Sequence, residues 1–299
     1  MKREPGFASA RWDDPFWHAV RMLADQPATK RKYASHISPS EIKSVLRSAG
    51  TRAAVGLINY LDANSGMTEM LSDYWSKRRE VAEEALALMR TEEQAVADYS
   101  LLSDQVLQSY GVKLDGYHSS PKVLVNTVDA VVYQECQRAE IPVNTDPQSR
   151  AAIVSDKHIW VSPRRLDGAL PDLLNPVALW EIKEYWGKTG GGSKMSDAIY
   201  ELHLVGLELR RFEDEFGIHV NHYAIMDGRH QWSSRQSDLR RAVDLLYSGL
   251  LDELVIGSEV LTEWPRIVEQ SAILAKATAP LLESSQPDGA LFPKWHPSE

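Results

Sequence analysis

The sequence has a single cysteine, Cys136, in 299 residues. That excludes an internal disulfide and any cysteine-cluster zinc site. Cys136 sits in a helical pattern, where a buried, inert thiol is expected. No apolar run approaches the roughly 18 residues that a membrane span needs, so no membrane partner is expected. Met1 to Gly6 is charged rather than apolar, so no signal region is read there, and a cytoplasmic location is the expectation. There is no Gly-x-Ser-x-Gly elbow for a serine nucleophile. Gly187-Lys188-Thr189 follows an apolar run, but a phosphate-binding loop would need glycine where Ile182 stands. His219 and His222 are three apart in a predicted strand, which puts them on opposite faces and argues against shared metal ligation.

A global excess of positive charge is also lacking: the formal net charge is −9. Its distribution is uneven. Residues 1–79 hold 13 Lys and Arg against 8 Asp and Glu, and residues 80–299 hold 20 against 34. A polyanionic partner is therefore expected only at a local basic surface. The apolar share, 43%, is ample for a core.

Residues 1–118 read as an all-helical N-terminal domain. Ser38-Pro39-Ser40-Glu41 is a capping box with proline at the first helical position. Gly50 ends that helix, and Thr51 caps the next, which stops at Asn64-Ser65-Gly66. A long helical stretch from Met67 to Tyr110 is predicted to break near Arg90-Thr91. Tyr117 to Pro121 marks a change of character. Residues 119–283 then read as a helix to Ala139, strand-like runs at 151–154, 158–161 and 177–183, a helix from Ser193, a strand at 218–226, a helix from Ser237, and a strand at 253–256. A last helix is predicted to be interrupted at Pro265. Residues 284–299 are expected to be a mobile tail. The fold class expected is α/β (α+β): a mixed central sheet flanked by helices.

The run Val177-Ala178-Leu179-Trp180 leads into Glu181-Ile182-Lys183. In a strand Glu181 and Lys183 share one face, and Trp180 and Ile182 the other. A carboxylate and an ammonium at the edge of a core, joined by a carboxylate from a preceding strand, suit a hard divalent cation and an activated water. Asp167 stands fourteen residues before Glu181, with Gly168 permitting close backbone approach, and is favoured as that second carboxylate. Asp172, in Pro171-Asp172, is the alternative, at a spacing that leaves little room for a hairpin.

Asp167, then Glu181-Ile182-Lys183 on a strand, then a helix, resembles the PD-(D/E)xK nuclease superfamily over about residues 121–256. The resemblance implies a restriction-endonuclease-like core and a Mg²⁺-dependent endodeoxyribonuclease, of type II restriction or anti-phage defence kind. It implies Asp167 and Glu181 as Mg²⁺ ligands, with Mn²⁺ able to substitute, and Lys183 orienting the attacking water. Double-stranded DNA is the partner implied. A homodimer is expected for cutting two strands, with a cognate methyltransferase encoded nearby. Glu135 on the first core helix, and Ser193, Lys194 and Asp197 at the start of the helix after the strand, are candidates to support the site. The helix pair around Gly50 has a helix-turn-helix outline. Arg47 and Arg52 there, with Lys77, Arg78 and Arg79 on the next helix, are candidate DNA contacts. The competing expectations are a catalytically inactive DNA-binding or assembly scaffold in which Glu181 and Lys183 form a simple ion pair, and an RNA-directed nuclease using the same site.

Overall fold

The structure is a computed structural model. It describes all residues except 8, 31, 33, 111–121, 156, 188–191 and 285–299, and only the backbone of 103, 105–110 and 279–284. The expected domain boundary at 118, residue 156 between the first two strand-like runs, most of the glycine-rich stretch 187–192 and the tail lie outside the described residues.

The N-terminal part forms four helices: α1 (Pro15–Asp25), α2 (Pro39–Ser48), α3 (Arg52–Ala63) and α4 (Met67–Leu88). The helix starts follow from local chemistry. The Glu41 carboxylate accepts from the Ser38 N–H at 3.0 Å, and the Thr51 hydroxyl accepts from the Ala54 N–H at 3.1 Å. Helix α5 (Glu92–Tyr110) follows a break at residues 89–91, and α6 is Val123–Ala139.

The remaining elements are strands β1 (Ala152–Val154), β2 (Ile159–Val161), β3 (Gly168–Leu170), β4 (Ala178–Glu184), β5 (Asn221–Asp227) and β6 (Glu253–Ile256), with helices α7 (Gly192–Phe216), α8 (Arg229–Ser234), α9 (Gln236–Ser248) and α10 (Glu259–Ser284). Strands β1 and β2 form an antiparallel ribbon. The main sheet has the order β3-β4-β5-β6. Its β3–β4 pair is antiparallel, while β4–β5 and β5–β6 are parallel, so α7 and α9 are the crossovers. The fold is thus mixed α and β with a mixed sheet.

Side-chain alternation divides the layers. Trp180, Tyr223, Ile225 and Val255 face a cluster containing Val128 and Val131 of α6 and Trp264 and Ile267 of α10. Ala224, Met226, Leu254 and Ile256 face the other way, toward Met195 and Leu202 of α7 and Leu239 and Val243 of α9. The cores of α1–α4 (Phe16, Ile42, Leu71, Tyr74) are continuous with this second layer. Helix α5 instead joins the first layer through Ala95 and Tyr99. Helix α10 runs unbroken through Pro265, where an interruption was expected. Val260, Trp264, Ile267 and Val268 are buried along it, and that packing offsets the backbone bond that proline removes.

Candidate functional site

The site lies on the α7 face of β4. Strand alternation sends Leu179, Glu181 and Lys183 to one face. Leu179 is packed with Val205 and Leu209 of α7, so the two charged residues project into the same layer. Glu181 is fully buried and Lys183 is 6% exposed. The Lys183 ammonium donates to Glu181 at 2.7 Å and to Glu201, on α7, at 3.0 Å. The Arg164 guanidinium, from the segment between β2 and β3, donates to Glu201 at 2.6 Å and also to Glu181. Both cations reach Oε2 of Glu181. Its Oε1 is buried and has no donor. Burial would depress the Lys183 ammonium, but Glu181 and Glu201 outweigh it and hold its pKa above the ordinary value.

Asp167 immediately precedes β3. Its N–H donates to the Trp180 carbonyl at 3.1 Å, and its Oδ2 accepts from the Ile182 N–H at 2.6 Å. The carboxylate thus continues the β3–β4 ladder one step beyond the strand. Gly168 makes this possible: a Cβ there would stand 1.9 Å from the Trp180 indole. Asp167 is open to solvent at the rim, yet local desolvation raises its pKa, with the Ile182 N–H and Lys183 opposing. Asp172 lies in the β3–β4 turn, where its Oδ1 accepts from the Leu173 N–H at 2.7 Å. Asp167, not Asp172, is therefore the aspartate beside Glu181 and Lys183.

The other predicted residues divide. Glu135 is not brought to the site: Arg138 holds its carboxylate at 2.8 Å, one turn along α6. Another acid of α6, Asp129, lies near Asp167: its pKa is pushed up to about 7 by burial, by Asp146 and by Asp167. Its Oδ1 is buried without a donor. Ser193, Lys194 and Asp197 are exposed on the first turns of α7. Arg47 and Arg52 are exposed at the α2–α3 turn. Arg78 is a correction. It is buried against Asp244, at 2.6 and 2.7 Å, and is spent on holding α4 to α9 rather than presented to a nucleic acid. Lys77 pairs with Glu4 at 2.6 Å and Arg79 with Glu83 at 2.7 Å.

Arg164 joins the network that the motif left partial, as does Glu201, which shares a helical face with Asp197, while Asp129 adds a buried acid near Asp167. Asp129 had a signal, an acid inside the apolar run Val128 to Val132. Arg164 had none beyond lying close before Asp167.

The residues available for a metal are the carboxylates of Asp167, Glu181 and Glu201. They are hard oxygen donors, and the buried, donorless Oε1 of Glu181 is the lone pair a cation would satisfy. Among the described residues no three His, Cys, Asp or Glu side chains enclose a metal position. The donor set fits a cation held by two carboxylates, with water and substrate oxygens filling the remaining positions.

The chain matches the family model described as a domain of unknown function (DUF7687) over residues 79–271. It belongs to that family. The matched region begins in α4 and ends in α10, so in this family member it contains β3, β4 and α7 and with them every residue of the site. No curated protein and no solved structure matches the chain. No helix among the described residues is long and apolar enough to cross a membrane.

Proposed function

We propose that this DUF7687 member is a Mg²⁺-dependent endonuclease with a restriction-endonuclease-like core. It hydrolyses DNA phosphodiester bonds in restriction or anti-phage defence, as a homodimer. The observation that carries the reading is the Glu181 carboxylate: fully buried, one oxygen held by Lys183 and Arg164, the other without a donor, beside Asp167 on the antiparallel neighbour. An isolated buried carboxylate oxygen costs free energy unless something completes it. The chain order α6, β1 to β4, α7, β5 supports the same reading, with β1 and β2 set apart from the main sheet as their own ribbon.

Asp167 and Glu181 are the residues that would hold the cation, through carboxylate oxygens. When bound, Mg²⁺ supplies charge neutralisation at the scissile phosphate and lowers the pKa of water. Lys183, fixed between Glu181 and Glu201, positions the attacking water and stabilises negative charge developing on the phosphate. Arg164 lies 34% exposed at the mouth, where a substrate phosphate can draw its guanidinium off the carboxylates.

The test is cleavage of a supercoiled plasmid with Mg²⁺. Lys183→Ala should lower the rate by about 10³-fold. Lys183→Met, which keeps the side-chain volume, separates lost chemistry from lost fold in a thermal melt. Cutting at the wild-type rate by either variant overturns the assignment. One observation favours a second reading: Arg164 and Lys183 together neutralise Glu181 and Glu201, as a purely structural ion network would. In that reading the chain is a nuclease-like scaffold for DNA binding or assembly, with no specific cation uptake.

A further inference from the structure

The seam between α7 and α9 carries a second chemical surface, separate from the residues of the site. Asp238, on α9, is fully buried, and its carboxylate holds two arginines at the surface. Arg235 donates to it at 2.6 and 2.7 Å, and Arg241 donates to the other oxygen. Ser196 of α7 joins them, accepting from Arg235 at 2.8 Å. Two guanidinium groups on one carboxylate leave the cluster net positive, with each arginine about one-third exposed. Arg235 extends to within 4.0 Å of where a Cβ on Gly192, the first residue of α7, would lie. The N–H groups of that helix start and the exposed Lys194 add positive potential there.

Beside this cluster stands an exposed aromatic ring. Tyr200 is 60% exposed, and the Arg241 guanidinium lies over its ring at 5.3 Å from the centroid. An arginine on one face and solvent on the other make a half-built stack. Tyr200 immediately precedes Glu201, which reaches Lys183 and Arg164. The start of α7 also lies at the carboxyl end of β4, the end of an open parallel sheet where ligands characteristically enter.

We infer that Tyr200, Arg241 and Arg235 form a stacking and phosphate-binding platform for an unpaired nucleotide next to the scissile bond. The platform takes one base on the free face of Tyr200 and the adjoining phosphate on the two arginines. The preferred substrate is therefore DNA with an unpaired segment at the cleavage point, such as the locally melted stretches of a supercoiled plasmid, rather than a relaxed, fully paired duplex. This rests on the hydrolytic reading above and narrows its substrate.

The test is fluorescence anisotropy in EDTA, which removes cleavage from the readout. The probes are a fluorescein-labelled oligothymidylate and the duplex formed by annealing it to oligoadenylate. The wild-type protein binds the single strand more tightly than the duplex. Tyr200→Ala, a change at an exposed position that leaves the fold intact by circular dichroism, weakens single-strand binding about tenfold, and Tyr200→Trp retains it. Equal affinity for the two probes, or Tyr200→Ala binding the single strand within about twofold of wild type, overturns the platform. Because no metal or hydrolysis enters, that failure is distinct from wild-type plasmid cutting by Lys183→Ala, which would remove the hydrolytic reading instead.

Discussion

At the carboxyl end of β5, the fully buried Asp227 has both oxygens occupied. Oδ1 accepts from the Arg90 N–H at 2.7 Å and the Gly228 N–H at 2.8 Å, and Oδ2 from Arg90 Nε at 2.7 Å. One strand over, on β4, Glu181 is equally buried and charged, yet one oxygen has no donor. Asp244 resembles Asp227: Tyr74 and Arg78 occupy both of its oxygens. The two closed clusters join α4 and the chain after it to β5 and α9, and their geometry asks for nothing more. The open cluster lies where β3, β4 and α7 meet. Asp227 and Asp244, which tie elements of the fold together, have both oxygens completed by it, whereas Glu181 and Asp129 each keep one buried oxygen without a donor, which makes their surroundings the candidate ligand positions.

The comparison breaks most visibly if the closed cluster is opened. Arg90→Ala leaves Asp227 buried and uncompensated and should cost about 3–5 kcal/mol in urea unfolding. Burial already lifts the Asp227 carboxyl above its ordinary range despite Arg90, so the pair is costly to break rather than strongly stabilising when intact. A cost below about 1 kcal/mol would show that Asp227 finds other partners and would blur the distinction between the clusters.

A smaller effect is expected at Gly168. An added methyl meets the Trp180 indole, so Gly168→Ala should destabilise by about 1–3 kcal/mol through overpacking. It should also pull Asp167 off the Ile182 N–H, so plasmid cleavage falls further than the stability loss explains. Combining it with Trp180→Leu should recover part of the stability, a coupling that a double-mutant cycle measures.

An effect of similar size, spread over several pH units, is a pH dependence. The folded protein holds the Asp129 proton up to about pH 7, whereas the ordinary carboxyl value is 3.8. The stability that this proton contributes is complete below the unfolded pKa and is lost as pH rises through the folded one. Discounted for partial contact with solvent, the loss between pH 4 and pH 8 is about 2 kcal/mol. Asp129→Asn should flatten that slope in chemical denaturation. An unchanged slope would place the Asp129 carboxyl outside the site's electrostatic reach.

Much of this architecture was legible in residue order. Strand β4 announces itself as an apolar run ending in alternating charge, and period-two alternation correctly puts Glu181 and Lys183 on one face. The capping box at Ser38 to Glu41 marks α2 because its chemistry is local. Strand β3 was missed because Gly168-Ala169-Leu170 is too short to alternate and is made a strand only by pairing with β4. Helix α8, six residues long, has too few positions for a helical period. Within the site, Asp167, Glu181 and Lys183 were legible through spacing. Arg164 comes from a loop whose approach depends on the tertiary fold, so its role has no local signature; Glu201 shares a helical face with Asp197, four residues before it, but spacing alone does not say which of the two reaches Lys183. Glu135 and Arg78 failed as site and DNA-contact candidates for one reason: each has a charged partner, Arg138 and Asp244, that residue type alone does not reveal.

The most direct test is isothermal titration of Mg²⁺, with Mn²⁺ as a second probe, into the wild-type protein and into Glu181→Gln. An open carboxylate oxygen predicts a specific saturable site in the wild type that is lost in the variant, with the two proteins otherwise equally folded. No saturable uptake by the wild type, or equal uptake by both, would contradict the claim and leave Glu181 as one more ion-pair partner.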